Sequence, residues 1–407
     1  MRKPSIVITY PFPLGQRAAG GSRTTPEIAR QLAARDADVT LLVVKSNPLD
    51  RRFPRSPPPD ELIGHHLDEE LAEHGVRLVR EPQNPFHYHL DGWSVRRGLA
   101  RILAERPVDA VLSHYEEAAF LPSFLRRRSV TFGFFATWQT YSWLSKLPPG
   151  WRGVVRKAVD RRFVVAPHRR AEILFALSEF TKGELVEHMG VDPGRVVISP
   201  LGVHEGFSSV PRKRTERVTR LLYFGRLAVL KGFHDALDAL GQLHRRGISD
   251  WTYRMFGTGR RDLVKKVAQE HGIADKVEVF EPVDDAGLQA ELAKADLAIM
   301  PSHFESFGLS IAEAQAAGVP VVAYDVGSVP EVVENGVTGW LAPFRHPEVL
   351  ADHIAEAMRD PEATFERGLR ARERARRLFR WERTAEILLE ALERHGSFQR
   401  GRLLAPV

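Results

Sequence analysis

Between Ala298 and Ala323 the chain runs from one short apolar stretch through a helix-like segment to another. Ala298 to Met300 and Pro320 to Ala323 are too short for buried helices and show no polar alternation, which suits strands covered on both faces. Ser310 to Ala317 between them is rich in Ala, Ile, Glu and Gln, and Gly318 with Pro320 beyond it closes a helix. Strand, helix and strand in this order require a parallel sheet with a right-handed crossover. The loop that leaves the first strand carries Glu305, and Glu313 follows after seven intervening residues, about one turn into the helix. Such a loop lies at the carboxyl edge of the sheet, where open α/β folds bind ligands. The free amides of Phe307, Gly308 and Leu309 at the helix start suit an anionic phosphate. Glu313, behind that loop, suits the two hydroxyls of a nucleotide ribose.

The same rhythm recurs elsewhere. Ser5 to Tyr10, Val39 to Val44, Asp109 to Ser113 and Val130 to Phe135 read as strands, with a helix over Thr24 to Arg35. Ser208 to Val218 (SSVPRKRTERV) is polar, charged and has the composition of a linker, and Leu221 to Phe224 then restarts the pattern. A chain of 407 residues exceeds one ordinary core. Two α/β domains follow, 1–207 and 208–380, with a pair of helices over Pro361 to His395 at the end. The proline-rich run Pro54 to Asp60 is a surface loop, and Trp151 to Arg170 has helical spacing with a basic face.

Composition narrows the function classes. The chain has no cysteine, so disulfides and thiolate chemistry are excluded, in keeping with a reducing cytoplasm. The N-terminal apolar run breaks at Pro11 and reads as a first strand rather than a signal peptide. No apolar stretch approaches the ~20 residues of a membrane span. The expected location is the cytoplasm, with peripheral contact at the inner membrane face as the extension its charge allows. That charge is uneven: of the +6 net, Ser94 to Arg170 holds fifteen Lys and Arg against five Asp and Glu. Solvated helix faces are the plainest reading, and an anionic membrane surface is the partner such a patch would suit. Nucleic acid is not indicated, for want of a recognition motif or interleaved aromatic residues.

Other positions carry chemistry. Phe224-Gly225-Arg226-Leu227, then Lys231-Gly232, follows the first strand of the second domain. Arg226 and Lys231 bring two cations to a strand-end loop, where fixed positive charge suits an anionic ligand. Gly257, within Phe256-Gly257-Thr258-Gly259, ends another strand and would present its amide toward the same edge. Gly20 and Gly21 lie between the first strand and the Thr24 helix. No D-x-D dipeptide flanks a nucleotide loop, and no carboxylate pair suits a double displacement. Neither a metal nor a cofactor is therefore expected, since the two cations supply the charge that Mg²⁺ would otherwise bring.

The block Met300 to Leu341, together with Gly225-Arg226-Leu227 and Lys231-Gly232, resembles the donor-site signature of retaining GT-B glycosyltransferases, in particular glycosyltransferase family 4. The resemblance extends more faintly to Leu177-Ser178-Glu179-Phe180 and Pro200-Leu201-Gly202-Val203. It implies two Rossmann-like domains facing each other across a cleft, the first receiving the acceptor and the second the nucleotide sugar. It also implies that the last helix, within 381–407, crosses back to the first domain. The activity implied is metal-independent transfer of a sugar, with retention, from a nucleoside diphosphate to a hydroxyl of a glycan, lipid or small molecule. Glu305 would meet the hydroxyls of the transferred sugar, and Gly20-Gly21 would match the loop through which the first domain approaches the diphosphate. Family members commonly carry a histidine after the strand that ends near residue 134; here Phe135 takes that place. With Trp138 it would face a sugar lacking a 6-hydroxyl, such as a 6-deoxyhexose or a pentose, unless His114 fills the role. The rival classes are a sugar-nucleotide epimerase, a phosphorylase, and a nucleotide-sugar binding module without turnover.

Overall fold

The computed structural model describes residues 2–10, 20–45, 64–82, 91–114, 116–136, 161–396 and 398. It divides into two compact units, Met1–Pro200 with Trp381–Val407, and Leu201–Arg380. Each is built on one parallel sheet.

The first unit carries β1 (Ser5–Tyr10), β2 (Asp38–Lys45), β3 (Val76–Pro82), β4 (Ala110–Ser113), β5 (Thr131–Ala136), β6 (Ile173–Ala176) and β7 (Val196–Ile198). Their order across the sheet is β3-β2-β1-β4-β5-β6-β7, so the direction of winding reverses between β1 and β4. Every residue of β1 is buried, as a central strand covered on both faces requires. At the other edge Asp109 accepts the Ser5 amide at 2.7 Å and pins β1 to the start of β4. The helix Trp381–Arg394 belongs to this unit: it packs on the helix Gly20–Ala33 and buries Leu388, Leu389 and Leu392. Thr384 Oγ1 donates to the Pro200 carbonyl at 2.7 Å and fixes its start.

The second unit carries β8 (Arg220–Phe224), β9 (Thr252–Phe256), β10 (Val277–Phe280), β11 (Leu297–Ile299), β12 (Val321–Tyr324) and β13 (Gly339–Ala342), in the order β10-β9-β8-β11-β12-β13. The winding reverses here between β8 and β11. Its core runs through Leu237, Tyr253, Ile299, Val322 and Leu350. The helix Leu309–Ala316 sits between β11 and β12 within two residues of its sequence-based bounds. Among the described residues no helix is long and apolar enough to cross a membrane.

One expectation needs correction. The segment 208–218 is not a free linker. Val210 and Val218 are buried, Arg212 donates to the carbonyls of Leu292 and Ala295 at 2.7 and 2.6 Å, and Thr215 donates to Asp296 at 2.8 Å. Its charged side chains cap backbone of the second unit, and fully buried Phe207 anchors what precedes it, within the compact unit Leu201–Arg380. Of the basic segment Trp151–Arg170, only Arg161–Arg170 is described, as a π-helical turn Arg161–Val165 followed by the helix Ala166–Arg170. Pro54–Asp60 and Trp138 lie outside the described residues.

His114, just past β4, is 1 % exposed, with its ring stacked on Phe135 at 4.4 Å. Burial pushes its pKa down to about 3, so the folded chain holds it neutral where the unfolded chain would protonate it. Its contribution to stability is therefore complete above about pH 6.5 and is lost as pH falls toward 3. Denaturant unfolding of wild type and His114→Asn followed from neutral to mildly acid pH should show the difference. The variant's stability should fall less steeply, by up to ~1.4 kcal/mol per pH unit. Parallel slopes would contradict this.

Candidate active site

The two strands flanking the reversal in the second unit, β8 and β11, bring their following loops to the carboxyl edge, the place where such sheets hold ligands. The loop after β8 ends in a 3-10 turn, Val229–Lys231, and Gly232 starts the next helix with φ at +70°. A Cβ there would sit 1.7 Å from the Pro301 carbonyl oxygen, so only glycine lets the two loops come this close. His303 N donates to the Leu230 carbonyl at 2.9 Å and completes the stitch. The result is an ion pair, Lys231 Nζ to Glu305 Oε1 at 2.6 Å, between residues 74 apart in sequence.

Glu305 is 8 % exposed, and its geometry is set from three sides. Ser302 Oγ donates to the same Oε1 at 2.8 Å. Its own carbonyl accepts the Ser328 amide at 3.1 Å and the Ser328 hydroxyl at 3.2 Å, which ties it to the loop after β12. Oε2 takes no hydrogen bond among the described residues. Burial, with the Glu305 charge adding to it, holds the Tyr223 phenol above its ordinary pKa. Tyr223 thus remains a donor, to the Arg226 carbonyl at 2.8 Å, and shapes the loop that carries Arg226. The Arg226 side chain is exposed and forms no ion pair among the described residues.

Gly308 caps the helix Leu309–Ala316 in the left-handed conformation without a side-chain acceptor for the helix's first amides. The N–H groups of Phe307, Gly308 and Leu309 make no hydrogen bond among the described residues, the arrangement an anion needs at a helix start. Glu313 is buried on the same helix, one turn further in. Among the described residues no group of three or more His, Asp or Glu is placed to hold a metal ion.

The other candidates come out differently. The Gly257 amide does not face a ligand: it donates to the Phe280 carbonyl at 3.3 Å. Glycine is required there because a Cβ would meet the Gly225 carbonyl oxygen at 1.8 Å, so this position supports the Arg226 loop from beneath. Gly20 and Gly21 form the first turn of the helix Gly20–Ala33 instead of a loop before it. Phe135 does not face a sugar. It is 2 % exposed, covered by His114 on one face and packed against Phe175 at 5.4 Å. The argument for a sugar without a 6-hydroxyl loses its ring.

Sequence reasoning missed Ser302, Ser328 and a second cross-link, His303 Nε2 to Asp235 Oδ2 at 2.9 Å, which ties the loop after β11 to the first turn of the helix Phe233–Arg245. For the two serines and His303 the only signal was position, within a few residues of a strand end.

Two family models match the chain, Glycosyltransferase Family 4 over residues 18–206 and Glycosyl transferases group 1 over residues 208–377. The chain belongs to glycosyltransferase family 4. Its GT-B fold agrees with solved structures of low identity. Sucrose-phosphate synthase from Thermosynechococcus elongatus superposes with a TM-score of 0.76 at 19 % identity, over 97 % of this chain and all of that one. The Anabaena protein HepE, solved with UDP and glucose, gives 0.70 at 18 % identity over 96 % of this chain and 100 % of its own. Among curated relatives, the D-inositol 3-phosphate glycosyltransferase of Paenarthrobacter aurescens is 34 % identical over 51 % of this chain and 54 % of its own length. A glycogen synthase of Mycobacterium tuberculosis is 32 % identical over 55 % of each. The chain thus spans about half the length of the curated relatives it matches.

In this family member the loop approach at Gly232 can be separated from its backbone strain. Gly232→Ala meets both a positive φ and the Pro301 oxygen, whereas Gly247, at φ +79°, has nothing within 4 Å of a Cβ. Gly247→Ala should cost about 1–2 kcal/mol from strain alone. Gly232→Ala should cost clearly more. Equal thermal shifts for the two variants would mean that the contact does not constrain the site.

Proposed function

We propose that this chain transfers a sugar from a nucleoside-diphosphate sugar to an acceptor hydroxyl, with retention at the anomeric carbon and without a metal ion. The observation that carries the reading is the Lys231–Glu305 pair at the reversal of the second sheet, beside the open amides of residues 307–309. The diphosphate would lie on those amides, with Arg226 and Lys231 as its counter-charges and Glu313 toward the ribose. An ammonium has three donors, so Lys231 can keep Glu305 while it meets a phosphate oxygen. Glu305 Oε2 would then accept from hydroxyls of the sugar and support positive charge at its anomeric carbon. As the bond from that carbon to the diphosphate breaks, negative charge grows on the phosphate. Fixed cations stabilise it more in the transition state than in the bound donor. The acceptor oxygen would bond to the same face of the carbon and pass its proton to the leaving phosphate.

Donor hydrolysis or transfer across a panel of nucleotide sugars tests the reading directly, and binding of all donors with turnover of none would overturn it. Glu305→Gln should leave nucleotide binding within a few-fold and lower turnover by at least ~10²-fold, the scale of one preorganised polar group. A variant keeping half the wild-type rate would remove Glu305 from the chemistry. Arg226→Ala and Lys231→Ala should lower kcat more than they weaken binding. Activity should persist in EDTA; loss on chelation with recovery in Mg²⁺ would show that the two cations do not suffice.

A further inference from the structure

The segment 301–308 carries Glu305 but contains no helix or strand of its own, so its course is set by what it touches. The element facing it is firmly held: the turn Val229–Lys231 runs through Gly232 into the helix Phe233–Arg245, which buries Phe233, Ala236, Leu237 and Leu240. Two side chains reach across from this one element. Lys231 meets Glu305 at 2.6 Å, and Asp235, in the helix's first turn, meets His303 Nε2 at 2.9 Å. An ionised carboxylate only accepts, so Nε2 is the donor in this contact. The side chains of His303 and Asp235 are 16 and 22 % exposed, close to the 20 % of Lys231, so theirs is not a pair screened by open solvent. The His303 amide adds its bond to the Leu230 carbonyl at 2.9 Å, and the Phe344 ring packs edge-on against the imidazole with centres 5.3 Å apart. Residue 303 is thus fixed through both backbone and side chain, two positions before Glu305.

The two contacts differ in one respect. In the transfer proposed above, the Lys231 ammonium is shared with a diphosphate, which draws it from Glu305. Asp235 and His303 meet none of the groups assigned to the donor. We propose that Asp235 is a positioning residue for the transfer: through His303 it keeps the Glu305 segment against the Lys231 turn while that ammonium serves the phosphate. The inference rests on the donor-site reading. Asp235 has a second effect that must be told apart from this one. A negative charge in the first turn steadies a helix whatever it touches, and Gly232 offers this helix no side-chain cap. Asparagine separates the two effects. It removes the charge but keeps an oxygen that accepts from Nε2, whereas alanine removes both. A loss through the helix would be common to the two variants, and a loss through the cross-link would belong to alanine alone.

The test uses the full chain and two readouts. The first is amide hydrogen exchange across residues 301–309 without any ligand. Asp235→Ala should speed exchange of the His303 amide on the order of tenfold, because exchange follows local opening, and Asp235→Asn should leave it near wild type. The second is turnover of UDP-, ADP-, GDP- and dTDP-glucose, read as kcat and KM separately. Asp235→Ala should lower kcat by roughly tenfold to a hundredfold, the scale of a small misplacement of a reacting group, with KM changed only a few-fold. Asp235→Asn should recover most of that loss. His303→Ala against His303→Gln, whose amide nitrogen can stand where Nε2 stands, breaks and keeps the same bond from the other side and decides the matter if Asp235→Ala does not fold. Asp238→Ala, one turn further along the same helix, should change neither readout. Unaltered exchange in Asp235→Ala and His303→Ala, equal loss in Asp235→Ala and Asp235→Asn, or a rise in KM with kcat preserved would overturn the inference while wild type remains active. A wild type that consumes none of the four donors would instead overturn the donor-site reading, and this inference with it.

Discussion

The Pro301 carbonyl oxygen lies where a side chain on residue 232 would have to be, and the candidate site follows from that close approach. Gly232 admits it, the His303 amide holds it through the Leu230 carbonyl, and Lys231 is thereby delivered to Glu305. The loops meet because β8 and β11 are neighbours in the sheet although their strands are far apart in the chain. Reversal of the winding between them opens the edge. Glycine then closes it to the width of one ion pair.

Charge in the two units is managed by opposite means. In the second, a single buried carboxylate is given a cation, a hydroxyl and a backbone anchor. In the first, Arg96 and Arg128 lie over the faces of aromatic rings, Arg96 at Trp93 and Phe124 and Arg128 at Phe124.

Much of this was legible along the chain. The helix Leu309–Ala316, the loop before it and the cationic loop after β8 all rest on local signals: apolar runs of strand length, a glycine at a helix end, polar residues between. Where sequence reasoning went astray, the signal was the same but the neighbour was unseen. Gly257 looks like a ligand loop until the Gly225 carbonyl is found against it. Phe135 looks like a site residue until His114 is found stacked on its ring. The segment 208–218 looks like a linker until its arginine is found capping the carbonyls of Leu292 and Ala295.

The sequence by itself determined the parallel α/β architecture, because buried strands and amphipathic crossovers are written as hydrophobic patterns over a few residues. It also determined which residue types could bear charge at the strand ends. The tertiary structure decided which of those charges meet. Lys231 and Glu305, Asp235 and His303, and the arginines around Phe124 are brought together by strand order and helix packing. An ion pair or a ring contact forms over a few ångströms in space, and no periodicity along the chain encodes that distance.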